Sequence, residues 1–193
     1  MFKSVIKQAL FLFTTTVIIA ALLGVVHYIT EEPIQAQLER ELLLAKQILL
    51  PSATTFETVD ITKNDVPSVK MVERGLDVSG SKVGYVVTVT PKGYGGEILI
   101  MVGFDASISV TSYRILKSNE TPGLGDMAAK PEFTSRFEGW SGFPINIVKI
   151  PAKETDIQAI TGATITSKAM VQGINNAAEI VTFIIEEEND EQS

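Results

Sequence analysis

The stretch ITGATITSKAM, residues 160–170, crowds three threonines and a serine around one glycine. Thr161, Thr164, Thr166 and Ser167 stand just ahead of a helical pattern, and such hydroxyls can serve three chemistries. They can cap the helix by accepting its free N–H groups. They can surround a phosphate, because a helix start offers unpaired N–H donors and a positive dipole end. One of them can bear a covalent group. Gly162 breaks regular structure, and Thr166 or Ser167 is the expected N-cap. The stretch is not a P-loop, since the spacing differs and no lysine follows a second glycine. Residue types alone leave capping and a phosphate seat both open.

A second loop, NETPGLGD at residues 119–126, is also dense in special residues. Pro122, Gly123 and Gly125 force a tight turn with exposed backbone. Leu124 is left between two glycines at its tip. That arrangement suits an ordinary surface turn, and it equally suits a loop lying against a flat ligand, since glycine permits close backbone approach.

The rest of the composition narrows the chemistry by exclusion. The 193 residues contain no cysteine and one histidine, His27. Disulfides, thiolate nucleophiles and cysteine-held iron–sulfur clusters are thereby removed. Histidine-rich metal sites and histidine-based triads are removed as well. No nucleophile–base set for a hydrolase or transferase is visible. The net charge is −7. Lys3 and Lys7 meet no acid within residues 1–30, so they account for +2 and leave −9 on the remainder. An acidic domain is a poor partner for nucleic acid and for an anionic lipid surface approached through charge alone.

The elements that must position these loops can be read from periodicity. VGYVVTVT (83–90) alternates, which predicts a half-buried strand with Val83, Tyr85, Val87 and Val89 on one face. PKGYGG (91–96) is turn chemistry, and EILIMVGF (97–104) is a continuous apolar run of the kind buried on both faces. The two predict a hairpin. SISVTSYRI (107–115) and INIVKI (145–150) read as further strands. MAAKPEFTSRFEGW reads as mixed and partly helical. From Lys168 onward, Met170, Ile174, Ala177, Val181, Ile184 and Ile185 mark one face of a helix. Strands in the middle and helices at both ends predict an α+β fold: a mainly antiparallel sheet flanked by helices.

An apolar run from Ala9 to Ile29 carries no Asp, Glu, Lys or Arg. About 20 helical residues cross a bilayer core, and Thr14, Thr15 and Thr16 are tolerable where each bonds the carbonyl one turn back. The run is longer than a signal-peptide core and lacks a small-residue cleavage site, so an uncleaved transmembrane anchor is expected. Lysines before it and Glu31 and Glu32 after it place the N-terminus in the cytoplasm and the remainder outside. Residues 31–51 predict a juxtamembrane helix that starts near Pro33, carries Ile34, Leu38, Leu42, Ala45 and Leu49 on one face, and stops at Pro51. The expected division is anchor 1–30, juxtamembrane helix 31–51, main domain 52–186 and a solvated acidic tail 187–193.

Taken together, three motifs resemble one family. TGAT at 161–164 resembles the S/T-G-A-T/S signature of the FMN-binding domain family; ETPGLG at 120–125 and GYGGEILIMVGFD at 93–105 resemble two more of its signatures, and together the likeness spans roughly residues 35–186. Within it the whole chain is most similar to the G subunits of the Rnf ion-translocating electron-transport complex. The C subunit of the sodium-pumping NADH:quinone reductase is a relative. The resemblance implies a single-pass inner-membrane protein with its flavin domain outside the cytoplasm. It implies an electron-transfer subunit of a complex coupling ferredoxin:NAD oxidoreduction to ion translocation, not catalytic alone, with the other subunits and a flavin transferase as partners. It implies covalent FMN, esterified through phosphate to Thr164. Thr161, Gly162, Ala163 and Thr166 would shape the turn around that phosphate, and Glu120, Thr121, Leu124 and Gly125 would form the flavin-side loop. Two positions depart from the family pattern: Gln158 stands where Asp is frequent, with Asp156 nearby, and Ser118 stands where His is frequent. The competing expectation is a membrane-anchored extracytoplasmic assembly or binding module without a flavin.

Overall fold

A computed structural model of the chain describes residues 2–62, 66–150 and 156–191. The first element, α1 (Phe2–Leu49), is one uninterrupted helix. The sequence places a helix start at Pro33, but the backbone is helical through it. Helix-forming residues on both sides outweigh the single hydrogen bond a proline forfeits. The side chains of Ile34 and Leu38, expected on its apolar face, lie outside the described residues. Within α1, Ile6–Thr30 is long and apolar enough to cross a membrane, with a mean hydropathy of 2.5. The Thr14, Thr15 and Thr16 hydroxyls donate to the carbonyls of Leu10, Phe11 and Leu12 at 2.9, 2.7 and 2.8 Å, so the three threonines carry no unsatisfied donor there. The chain divides into two compact units after Leu44.

The second unit is built on five antiparallel strands in sequential order: β1 (Thr55–Val59), β2 (Val69–Leu76), β3 (Lys82–Val89), β4 (Leu99–Asp105) and β5 (Val110–Lys117). The expected β3–β4 hairpin is present, with Val87 opposite Val102 and Val89 opposite Ile100. One face of this sheet, carrying Tyr85, Val87, Val89, Ile100, Val102 and Phe104, forms the core with α3 (Thr164–Glu191). Met170, Ile174, Ala177, Val181 and Ile184 of α3 are all buried there, as their spacing predicts. Each of the Met, Ile and Val side chains buried there contributes about 1.5–3 kcal/mol.

β3 is not half-buried. Residues 84–89 are buried on both faces, Val86 and Thr88 included. The second face is covered from the C-terminal end of α1. Leu49 lies so close to the sheet that a Cβ on Gly103 would stand 2.9 Å from the Leu49 Cβ, and the Thr111 hydroxyl donates to the Leu49 carbonyl at 2.6 Å. Lys46, one turn earlier, reaches Glu73 of β2 at 2.6 Å.

Two short strands stand apart: β6 (Asn146–Val148) and β7 (Asp156–Gln158) pair in parallel as a second sheet. Between β5 and β6 the chain makes 3₁₀ turns at Gly125–Ala129 and Ser135–Phe137 around α2 (Pro131–Thr134). The acidic end expected as a solvated tail is helical through Glu191. Glu188 gives the reason, since it takes an ion pair from Arg74 and a second from Lys82 at 2.8 Å, with the Tyr85 hydroxyl beside it. Burial works to raise the Glu188 pKa, but the Lys82 hydrogen bond and the Arg74 charge together outweigh it and hold the carboxyl below its ordinary value.

Candidate functional site

The two loops singled out by residue type meet at one cleft of about 590 Å³. From the 119–126 loop it is lined by Glu120, Thr121, Leu124 and Gly125; from the 160–170 stretch, by Gly162, Ala163, Thr164, Ile165 and Thr166. Tyr94, at the tip of the β3–β4 hairpin, completes it. Thr161 is not among the lining. It faces a smaller, separate cavity of about 180 Å³ with Met127, Arg136 and Gln158. Tyr94 and Ile165 were not anticipated as site residues. For Tyr94 a signal existed, an aromatic residue set among glycines in a predicted turn.

The start of α3 differs from the expected capping. The helix begins at Thr164, so Thr166 and Ser167 lie inside its first turn and not ahead of it. Their hydroxyls are engaged elsewhere. Ser167 Oγ donates to the Ala163 carbonyl at 2.9 Å and accepts from the Ile160 N–H at 2.9 Å, which closes the turn at residues 160–163 on itself. Thr166 Oγ1 donates to Glu120 Oε2 at 2.6 Å, a short bond to a charged acceptor. Gly162 holds the turn at φ +80°, a conformation that favours glycine, and a Cβ there would stand 3.0 Å from Leu124 Cδ2. The Thr164 hydroxyl, by contrast, has no hydrogen-bond partner among the described residues. It lines the cleft at the first residue of a 28-residue helix, where backbone N–H groups have no carbonyl one turn back.

Glu120 is the pivot between the two loops. Its Oε1 accepts from the Gly95 N–H at 3.0 Å and its Oε2 from Thr166. Gly125 is seated directly against it: a Cβ there would collide with the Glu120 carboxylate and stand 3.0 Å from Thr166 Oγ1. The Ser118 hydroxyl accepts from the Glu120 N–H at 3.1 Å, so this serine shapes the loop. Glu120 is the one charged side chain in the cleft lining. Behind the loop the Tyr113 hydroxyl donates to the Ala128 carbonyl and pins the 3₁₀ turn. Burial pushes the Tyr113 pKa far up, against a smaller opposing effect of the Arg136 charge, so the phenol stays a donor. Gln158, on β7, donates to the Lys149 carbonyl at 3.3 Å, and its own carbonyl accepts from Arg136 at 2.8 Å.

Comparison with known proteins adds an independent reading. Residues 93–179 match the FMN-binding domain, and residues 1–45 match the RnfG N-terminal region. The chain is 36% identical over 192 residues to the G subunit of the Na(+)-translocating ferredoxin:NAD(+) oxidoreductase complex of Acetobacterium woodii, covering 92% of each chain. It is 33% identical over 185 residues to the G subunit of the ion-translocating oxidoreductase complex of Methanosarcina acetivorans, covering 91% of this chain and 96% of that one. Against the G subunit of the proton-translocating ferredoxin:NAD(+) oxidoreductase complex of Clostridium ljungdahlii the identity is 36% over 175 residues, covering 88% and 85%. Among solved structures, NqrC of Shewanella oneidensis is similar at a TM-score of 0.48, with 24% identity over 66% of each chain.

Proposed function

We propose a function from one premise: this chain belongs to the G-subunit family of ion-translocating oxidoreductase complexes. It is an electron-transfer subunit of such a complex, with an FMN-binding domain and one apolar helix of membrane-spanning length. In the finer reading the complex couples ferredoxin:NAD oxidoreduction to ion translocation, and this subunit is not catalytic alone. The helix is a single-pass anchor in the cell membrane, with the N-terminus cytoplasmic and the flavin domain outside.

The residues present fit the cofactor. A cleft of about 590 Å³ lies within the range of roughly 300–1,000 Å³ usual for small-ligand sites. One part of it is the start of a long helix, suited to a phosphate. Leu124, Ile165 and Tyr94 offer apolar surface for a flat ring system. The Thr164 hydroxyl carries FMN as a phosphoester. Gly162 and Ala163 bring the backbone close to the phosphate, Thr166 acts through Glu120, and Thr121, Leu124 and Gly125 border the flavin. Thr161 shapes the turn from its outer side. When bound, the flavin supplies the one- and two-electron chemistry that no side chain of this cysteine-free chain provides.

Attachment is the work of a separate flavin transferase. The bond formed joins Thr164 Oγ to the FMN phosphorus of FAD; the bond broken is the pyrophosphate P–O bond, and AMP and the hydroxyl proton leave. A threonine hydroxyl is a weak nucleophile without an adjacent base, and the one carboxylate lining the cleft, Glu120, is engaged by Thr166 and Gly95. One observation carries this reading: the ETPGLG and TGAT loops, far apart in the chain, converge on one cleft beside the Thr164 hydroxyl, which has no hydrogen-bond partner among the described residues. The test is co-expression of the full chain with a flavin transferase, then in-gel fluorescence and mass spectrometry of the peptide holding residue 164. A fluorescent band that disappears in Thr164→Ala is expected. A band unchanged by that substitution would sink the site assignment, and no flavin mass at all would favour the assembly module. A periplasmic reporter fused after residue 193 is expected to be active; activity of a cytoplasmic reporter there would overturn the orientation.

A further inference from the structure

Tyr94 is the one aromatic residue lining the cleft, and it stands in the open. The residue is 71% exposed, yet the backbone that carries the ring is held from several sides. The strands close below it through the Lys92–Glu97 bridge, the Ile98 N–H donates to the Pro91 carbonyl at 2.9 Å, and the Gly93 N–H donates to the Gly96 carbonyl at 2.7 Å. From outside the hairpin, Glu120 accepts the Gly95 N–H at 3.0 Å. Any side chain at Gly93 or Gly95 would collide with Glu120 or the Asn119 carbonyl, so the tip is seated directly on the 119–120 segment. Glu120 in turn grips Thr166, two residues beyond Thr164. A continuous hydrogen-bonded path thus runs from the loop bearing the ring to the helix turn proposed to bear the phosphate.

An exposed aromatic side chain on a mobile loop needs no explanation. A ring carried into the lining of a ligand cleft by a braced backbone has only its own two side-chain torsions left to order, so binding a flat partner there costs little ordering. We propose that the Tyr94 ring is the stacking platform for the isoalloxazine, with Glu120 as the positioning residue that fixes its separation from the start of α3. This rests on the flavin reading above. The phosphate is anchored at Thr164, and the ring system reaches the hairpin tip, where Tyr94 covers one of its faces by aromatic stacking and shields that face from water.

Flavin fluorescence reads this contact independently of turnover. A tyrosine in contact with an excited flavin donates one electron to it and recovers that electron on recombination, so emission is quenched with no net chemistry. Phenylalanine is too hard to oxidise to do so. The experiment uses the full-length chain, flavinated by co-expression, with FMN on the Thr164 peptide verified by mass in each variant. Tyr94→Phe is expected to lengthen the emission lifetime several-fold, with the bimolecular iodide-quenching constant (the Stern–Volmer slope divided by the lifetime) unchanged because the ring still covers the flavin. Tyr94→Leu is expected to lengthen the lifetime and also raise that bimolecular constant. With FMN present, a lifetime unchanged in both variants overturns the platform and leaves the flavin reading standing. Wild-type chain that carries no FMN overturns both.

Discussion

Thr164→Ala and Thr166→Val remove hydroxyls two residues apart, and the structure assigns them opposite consequences. Thr166 is 1% exposed and donates to Glu120 at 2.6 Å. Valine keeps the shape and deletes only the donor. A hydrogen bond to a charged group contributes about 1.5–3 kcal/mol. Glu120 is partly exposed and keeps the Gly95 N–H on its other oxygen, which sets the expected loss nearer the lower part of that range, about 2 kcal/mol. For a unit of this size each kcal/mol moves the melting temperature by roughly 2–4 °C, so Thr166→Val should lower it by about 4–8 °C. Thr164→Ala removes a hydroxyl with no partner among the described residues at the first position of a helix, where alanine is a good helix former. Its effect should stay within about 0.5 kcal/mol, or about 2 °C. The assay is thermal unfolding of the flavin-free full chain in detergent by near-ultraviolet circular dichroism, beside in-gel fluorescence of the flavinated chain. Thr166→Val should retain a fluorescent band and Thr164→Ala should lose it. A Thr166→Val melting temperature within about 1 °C of wild type would refute the brace; so would a loss in Thr164→Ala as large as that in Thr166→Val.

Other perturbations probe the frame around the cleft. Gly125→Ala drives a Cβ into Glu120 and Thr166, and should cost about 1–3 kcal/mol as overpacking, read from denaturant midpoints. Lys46→Ala leaves Glu73, 6% exposed, without its cation; breaking such a buried pair should cost about 3–5 kcal/mol, and the double variant Lys46→Met with Glu73→Leu should recover most of it. Glu188 has its pKa held below the ordinary value of 4.5 by Lys82 and Arg74 against the opposing effect of burial. Its contribution is therefore fully present above the unfolded pKa and is lost as pH falls through the lower folded value. Glu188→Gln should melt below wild type at pH 7, with the difference shrinking progressively as pH falls below about 4.5; a difference independent of pH would contradict the ion-pair account.

Much of the frame is legible from local pattern. The helical face from Met170 to Ile184, the β3–β4 hairpin and the apolar span at the N-terminus all obey periodicities that depend on near neighbours. The elements that escape are those whose stability comes from partners distant in sequence. β2 reads as VKMVERGL, with a lysine, a glutamate and an arginine inside a strand. Glu73 is tolerated because Lys46 meets it from α1, and Arg74 because Glu188 meets it from the far end of α3. The same pairing turns an apparent acidic tail into helix. β3 looks half-buried by alternation, and its second face is buried because the chain at Leu49 and Leu50 folds back against the sheet.

The cleft divides in the same way. Glycine spacing, the absence of cysteine and the hydroxyl-rich helix start mark both loops and limit the chemistry, because these properties reside in the residues themselves. Which hydroxyl is structural and which is free does not reside there. By local pattern Thr166 and Ser167 are interchangeable as caps, and nothing local sets the Thr164 hydroxyl apart. Thr166 becomes a brace because Glu120, 46 residues earlier, presents a carboxylate to it. Ser167 is spent on residues 160 and 163. Thr164 is left facing the cleft with its hydroxyl unengaged. A hydrogen bond depends on where its partner stands in space, and folding brings Glu120 to Thr166.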